Sequence, residues 1–242
     1  MSENKRKFAI LYALIKEYVQ SAEPVGSEVL RERYRLHWSA ATIRNDLMEL
    51  EADGYLTKPH TSGGRVPTDK AYRHYVNQLM EERRELEQKT AAKLTAQNRA
   101  LEDITSPDEM VHAVAKLMAR LTKHLVLGGI PERKAVFGSG LSALVAEPEF
   151  SEQERIADIA RFMEEFADNV LAHTKQLLRE DLELYIGSEN PMTGMRSCTM
   201  LISDLDLPSG ERGFIAMIGP TRMRYERNIG LLEHMTAMFA GE

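Results

Sequence analysis

Residues 36–67 constrain the fold more than any other part of this chain, because they combine a capped helix with a short hairpin. Ser39 is predicted to cap the helix, since its hydroxyl can accept a hydrogen bond from an unpaired N–H group of the first turn. Gly54 is predicted to end the helix, where a left-handed backbone costs glycine little. Between them, apolar residues recur at the spacing of one buried helical stripe: Ile43, Leu47 and Leu50.

A glycine-rich turn joins two short extended runs, residues 55–59 and 65–67, directly behind this helix. The pattern predicts a β-hairpin, so that the stretch forms a recognition helix followed by a β-wing. The polar helix face and the hairpin tip carry small, hydroxyl and cationic side chains, which suit base edges and phosphates. The predicted DNA-binding residues are Ser39, Ala40, Thr42, Arg44 and Asn45 on the helix, and Lys58, His60, Thr61, Ser62, Gly63, Gly64 and Arg65 in the hairpin.

The same residues have a plainer interpretation, as a solvated helix face and a flexible hairpin tip. Arg44 and Asn45 favour DNA, because these residue types make bidentate contacts with guanine and adenine. Arg65 is predicted at the hairpin tip as the cation through which the wing meets phosphates.

The preceding residues complete a helix-turn-helix in outline. Residues 6–20 predict an amphipathic helix, and residues 28–34 a second short helix. Ser27 is predicted to cap the second helix, with Val29 and Leu30 in the core. Many helical hairpins share this outline, and the hairpin behind it favours the DNA-binding version.

The distribution of charge supports a nucleic-acid partner for the N-terminal part only. The chain has a net charge of −6, but residues 1–80 hold 12 Lys+Arg against 10 Asp+Glu, and the remainder holds 19 against 27. This excess is modest, so affinity for phosphates must come from a few well-placed cations. Neither a membrane span nor a signal peptide is indicated, and Cys198 is the single cysteine, so a cytoplasmic protein without a membrane partner is expected.

The second half has the pattern of an α+β region with antiparallel strands and helices on one face. Residues 68–101 predict a long helix, largely charged in its later part. Residues 106–109 resemble a capping box that starts another helix, which the glycines of residues 128–131 end. The remaining predicted elements are a short strand at 135–137, one or two helices over 150–179, strands at 182–186, 198–203 and 214–218, and a helix at 223–239.

These patterns divide the chain into a winged helix-turn-helix domain (1–67), a linker helix (68–105) and an α+β regulatory and dimerisation domain (106–242). No phosphate-binding loop, zinc-hydrolase motif or nucleophile elbow is present, so an enzyme is not expected. The histidines lack metal-ligand spacing, and neither a metal nor a cofactor is predicted. Cys198 is interpreted as a small core residue. Arg222 and Arg224 follow a Gly-Pro turn and either bind an anion or lie on the surface.

Two segments carry a family resemblance. The first resembles the N-terminal domain of the HrcA heat-inducible transcription repressors and reads EPVGSEVL…SAATIRNDLMELEADGYLTKPHTSGGRVPTDKAYRHYV. The second resembles the closing segment of the same family and reads YIGSENP…SCTMLIS…GFIAMIGPTRMRYERNIGLLEHM. The resemblance implies a homodimer that binds an inverted-repeat operator in double-stranded DNA upstream of chaperone genes. It also implies a GAF-like second domain and assistance by a GroE-type chaperonin. Family members are longer, and the shortening falls between residues 125 and 150, so the GAF-like domain is expected to be truncated.

The expected function is therefore sequence-specific repression of heat-shock genes, controlled by temperature or the chaperonin. One alternative is a winged-helix regulator gated by a small-molecule ligand in the C-terminal domain. Another is a protein-interaction scaffold that does not bind DNA.

Overall fold

The computed structural model describes residues 3–59, 63–81, 101, 104–168, 170–178 and 181–239. Its contacts divide the chain into two compact units, Met1–Glu81 and Glu82–Glu242. The predicted wing residues His60, Thr61 and Ser62 lie outside the described residues, as does the predicted helix over residues 82–100.

The first unit is a helix-turn-helix followed by a two-stranded antiparallel hairpin and a fourth helix. Its elements are α1 (Glu3–Ser21), α2 (Ser27–Arg33), α3 (Ala40–Ala52), β1 (Leu56–Thr57), β2 (Val66–Pro67) and α4 (Asp69–Glu81). Helix α3 packs against both α1 and α2. Its predicted stripe is buried at Ile43, Leu47 and Leu50, and Gly54 has a φ of +77° after the last turn. The predicted winged helix-turn-helix is confirmed.

Two predictions about α2 are wrong. Its N-cap is Gly26, whose backbone is extended, and Ser27 is the first helical residue and supplies no capping hydrogen bond. Val29 is 39 % exposed, whereas Leu30 is fully buried. On so short a helix only one narrow stripe reaches the core, and Val29 lies beside that stripe.

Helix α4 belongs to the first unit, although the sequence analysis assigned its residues to a linker. One side of the helix is buried within this unit, through Ala71, Tyr72, Tyr75, Val76 and Leu79. The aromatic side chains at this helix therefore contribute to the core of the winged domain.

The described strands of the second unit form one five-stranded antiparallel sheet in the order β4-β3-β7-β6-β5. The elements of this unit are α5 (Pro107–Thr122), β3 (Leu125–Ile130), β4 (Ala135–Ser139), α6 (Leu141–Leu144), α7 (Gln153–Asp168), α8 (Val170–Leu177), β5 (Leu182–Ile186), β6 (Cys198–Asp206), β7 (Arg212–Pro220) and α9 (Tyr225–Ala237). Ser106 precedes α5, but its side chain makes no capping hydrogen bond, so the predicted capping box is not formed.

Helices cover both faces of the sheet, not one face as predicted. On one face, Phe162 and Phe166 of α7 pack in a cluster with sheet residues such as Phe214. On the other face, the Tyr225 hydroxyl of α9 lies 2.8 Å from the Thr199 hydroxyl of β6. Since side chains alternate along a strand, each strand contributes to both layers.

Strand β3 occupies a segment that was predicted to end a helix. The two glycines in it, Gly128 and Gly129, bring the strand close to its neighbours. A Cβ atom on Gly128 would lie 2.9 Å from a methyl carbon of Val111 in α5, and one on Gly129 only 2.3 Å from the carbonyl oxygen of Ala135. These glycines therefore permit tight packing within the sheet and do not end a helix.

Candidate nucleic-acid interface

The N-terminus of α3 is organised by two hydroxyl groups. Ser39 accepts a hydrogen bond of 3.1 Å from the backbone N–H of Thr42, as predicted for an N-cap. The two side-chain hydroxyls also lie 2.9 Å apart, within hydrogen-bond distance. Thr42 is half-buried and held by the cap, so any contact it makes with a ligand starts from a fixed side-chain position.

The exposed face of α3 is a stripe of residues at helical spacing, called here the exposed stripe: Ala41, Arg44, Asn45 and Met48. Arg44 and Asn45 pair with no other side chain in the described part of the chain. Met48 is 55 % exposed, the largest value among the large apolar side chains of the described residues. Ala41 and Met48 are absent from the predicted site. They lie one helical turn before and one turn after Arg44 and Asn45, so helical spacing alone could have identified both.

The opposite face of α3 is fixed to α1 by an ion pair that the sequence did not reveal. Arg6 donates two hydrogen bonds, of 2.8 and 2.9 Å, to the carboxylate of Asp46, which is 1 % exposed. These hydrogen bonds raise the pKa of the Arg6 guanidinium. Lys7 forms a second ion pair, with Glu49 one turn further along. The two pairs set the rotation of α3 about its axis and therefore which side chains it presents to solvent.

The wing is anchored at its root to the connection between α1 and α2. Val25 and Arg65 exchange backbone hydrogen bonds of 2.9 and 3.0 Å. The Cα of Gly64 faces Pro24 so closely that a Cβ atom would lie 2.6 Å from the proline backbone. Glycine is required here by the close approach of the two backbones.

Arg65 lies at the root of the wing and not at its tip, where the sequence placed it. Its Nε donates a hydrogen bond of 2.9 Å to Glu51 of α3, and its side chain is 11 % exposed. The guanidinium thus links the wing to α3, with its terminal amines left for other acceptors. Lys58 and Gly63 are exposed on the two arms leading to the tip, and Lys58 pairs with no side chain among the described residues.

An aromatic cluster around His74 connects α1, the wing and α4. The His74 ring stacks on Phe8 with 4.1 Å between ring centroids and contacts Tyr55 edge-on. Its Nδ1 lies 2.9 Å from the hydroxyl of Tyr12. Burial lowers the pKa of His74, which favours a neutral imidazole at this junction.

In the second unit, Arg222 and Cys198, which the sequence offered for anion binding or redox chemistry, are enclosed, whereas Arg224 is exposed. Arg222 is 12 % exposed and held by hydrogen bonds to Glu147 and Glu149, so its charge is already balanced. Cys198 is buried, and burial raises the pKa of its thiol to about 11. Within the described ranges, no group of three or more His, Cys, Asp or Glu residues could hold a metal ion, and no helix is long and apolar enough to cross a membrane.

Two family models match the chain. One describes a winged helix-turn-helix transcription repressor, HrcA DNA-binding, over residues 3–81, and the other the HrcA protein C-terminal domain over residues 66–229. Over 130 residues the chain is 40 % identical to the heat-inducible transcription repressor HrcA of Nocardia farcinica, a match to 54 % of this chain and 36 % of that protein.

Similarity to the repressor of the same name from Halalkalibacterium halodurans extends over nearly the whole of both proteins. It covers 96 % of this chain and 95 % of that protein at 25 % identity, in an alignment of 327 residues against a chain of 242. By contrast, the match to the Nocardia protein spans about a third of that relative's length, 36 %.

A crystal structure described as that of a hypothetical protein at 2.2 Å resolution shares the fold. It superposes with a TM-score of 0.76 at 19 % sequence identity, covering 99 % of this chain and 98 % of that one. The likeness includes both units described above.

Proposed function

Since the chain belongs to the HrcA family, we propose that it is a DNA-binding transcriptional repressor of heat-shock genes. The observation that carries this proposal is the exposed stripe, where Arg44 and Asn45 have no side-chain partner among the described residues, on a helix whose other face is fixed to α1. A helix held so rigidly can place side chains against base edges in a major groove.

In the proposed complex, the N-terminal half of α3 lies in the major groove. Ser39, Ala40 and Thr42 lie at the helix start, close to the phosphates, and Arg44 and Asn45 face the base edges. The wing approaches the neighbouring backbone, with the exposed Gly63 allowing close contact while Gly64 holds the wing against Pro24. Its contributing residues are Lys58, His60, Thr61, Ser62, Gly63, Gly64 and Arg65.

Replacing Arg44 tests the major-groove contact. Arg44→Ala is expected to weaken binding to DNA from upstream of chaperone genes at least about tenfold, because one good bidentate contact contributes roughly 1–3 kcal/mol. Affinity is measured by titration at one fixed salt concentration. Arg196→Ala is the matched control, since Arg196 is an exposed arginine of the second unit without a described partner. Equal affinities for the two variants would refute the contact.

We further propose that the repressor acts as a homodimer on an inverted repeat. Two-fold symmetry of the protein would place two copies of α3 on half-sites about one helical turn, or a multiple of one, apart. Lengthening the spacer by about half a turn should then abolish tight binding. If the elongated site bound as well as the original, the paired arrangement would be wrong.

Residues 106–242 are proposed to be a truncated GAF-like regulatory and dimerisation domain, and residues 68–105, whose first part is α4 of the winged domain, to lead to it. Support comes from the five-stranded antiparallel sheet with helices on both faces. Control is proposed to act through the population of folded repressor, which heat lowers and a GroE-type chaperonin restores.

A further inference from the structure

A groove in the second unit has an unusual charge for its surroundings. It lies between α5 and the segment that joins β4 to α6, and its volume is about 460 Å³. Lys116 and Arg120, one turn apart on α5, line the groove together with Lys123, the left-handed residue that caps the C-terminus of the helix. No acidic side chain lines this groove among the described residues.

These three cations lie together along one groove, within an acidic half of the chain. Residues 81–242 hold 19 Lys+Arg and 27 Asp+Glu. Arg133 pairs with Asp108 and Glu211, for example, just as Arg222 pairs with two glutamates. In the described part of the chain, no carboxylate pairs with any cation of the groove. The groove therefore concentrates positive potential that nothing described in this unit neutralises.

The wall opposite the cations is polar and closely held to α5. Ser139 and Ser142 line the groove on either side of Gly140. Gly140 has a φ of +90°, and a Cβ atom there would lie 2.1 Å from the carbonyl oxygen of His124. Since only glycine tolerates both this backbone angle and this approach, the wall is held against the C-terminal end of α5.

The base of the groove is apolar. Leu101, Leu117 and Ala113 contribute to it, and Leu101 and Leu117 are almost fully buried. The combination of cations, hydroxyls and apolar surface matches a small molecule with an anionic head and a compact apolar body. We propose that this groove is a binding site for a small organic anion, either a phosphate ester or a carboxylate.

Phenyl phosphate is the probe that tests the site, with the full chain titrated by calorimetry. It should bind saturably at one site per chain and on the order of tenfold tighter than inorganic phosphate, because its ring buries apolar surface. Benzyl alcohol, which lacks the charge, should bind more weakly than either anion. Benzoate in a parallel titration distinguishes a carboxylate site from a phosphate site.

Variants assign binding to the groove. Lys116→Ala and Arg120→Ala should each weaken phenyl phosphate binding at least about fivefold, as expected for loss of one charge-assisted hydrogen bond, whereas Arg196→Ala should bind normally. Ala113→Phe fills the apolar base of the groove. In this variant phenyl phosphate should bind no tighter than inorganic phosphate, which should still bind. Circular dichroism confirms folding of each variant.

Three outcomes would overturn the site. They are phenyl phosphate binding no tighter than inorganic phosphate, the charge variants binding it like the unmodified chain, and benzyl alcohol binding equally well. A fourth concerns DNA: if Arg120→Ala reduced operator affinity without any probe as strongly as Arg44→Ala does, the cations would serve nucleic acid. None of these results bears on the exposed stripe, so the two proposals fail separately.

Discussion

At the scale of single residues, the structure changes the expected contribution of several side chains in the winged domain. Periodicity and capping rules were enough to place Ser39, Arg44 and Asn45 correctly on α3. Arg65 was misplaced because its partner, Glu51, becomes a neighbour only when the hairpin folds back onto α3. Met48 was overlooked because an apolar residue on a helix is normally assigned to the core.

Met48 is expected to read the methyl group of a thymine, since apolar side chains discriminate thymine in the major groove by contact with that methyl. Each thymine of the operator is replaced in turn by deoxyuridine, and affinities are measured for the unmodified chain and for Met48→Ala. At one position per half-site the base change should weaken binding by the unmodified chain several-fold, by about 0.8 kcal/mol for one buried methyl group, and leave binding by the variant unaffected. If the thymine replacement and Met48→Ala weakened binding independently of each other at every position, Met48 would contact no thymine methyl.

His124 predicts a pH dependence of stability. It is 7 % exposed, and burial, reinforced by the charges of Arg222 and Arg227, lowers its pKa to about 4. The unfolded chain, with an ordinary histidine pKa, takes up a proton first as the pH falls. The stabilisation is therefore complete above about pH 6.5 and is lost progressively down to about pH 4, by on the order of 3 kcal/mol.

Urea denaturation across this range, with His124→Gln as the neutral comparison, measures the effect. The difference in unfolding free energy between the two proteins should change between pH 6.5 and 4 and be constant above. Parallel pH profiles would mean that His124 is protonated in the folded state as readily as in the unfolded one.

At the scale of elements, sequence patterns predicted most helices and strands but failed where close packing decided the structure. The strands β5, β6 and β7 were predicted because each is a short run of residues with high strand propensity, bounded by turn residues. Strand β3 was missed because Gly128 and Gly129 look like a helix terminus. Their need for small size arises from Val111 of α5, which packs on the sheet, and from Ala135 of the neighbouring strand, and these contacts exist only in the folded structure.

The wing and α3 act together through Arg65, whose Nε is bound to Glu51. If its terminal amines contact a phosphate, Arg65→Ala should reduce the slope of log affinity against log salt by about one. Glu51→Gln keeps the cation but weakens its anchor, so it should lower affinity with an unchanged slope. Binding measured at several salt concentrations distinguishes the two. An unaltered slope for Arg65→Ala would assign Arg65 to positioning the wing alone.

At the scale of the whole molecule, the two units carry separate parts of the proposed function, DNA binding and its control. The charge division along the chain indicated this separation, whereas the extension of the first unit to Glu81 depended on the buried side of α4. The pairing of two copies was implied by family resemblance and not by any pattern in the residues.

Temperature should control the repressor through its folded population. Operator binding is expected to fall steeply over a narrow temperature range, because apparent affinity scales with the competent fraction. Adding a GroE-type chaperonin with ATP should restore binding after a heat pulse. Binding is followed by fluorescence anisotropy, with circular dichroism recorded in parallel. A gradual decline that does not track unfolding would refute thermal control and leave DNA recognition intact.

The enclosure of Cys198 has a practical consequence. A thiol whose pKa is raised to about 11 and which solvent does not reach is nearly inert toward alkylating reagents at neutral pH. The native chain, with this one cysteine, is in effect free of reactive sulfhydryls. A fluorophore attached through Met48→Cys or Lys58→Cys would therefore report from a single chosen place, without first removing the natural thiol.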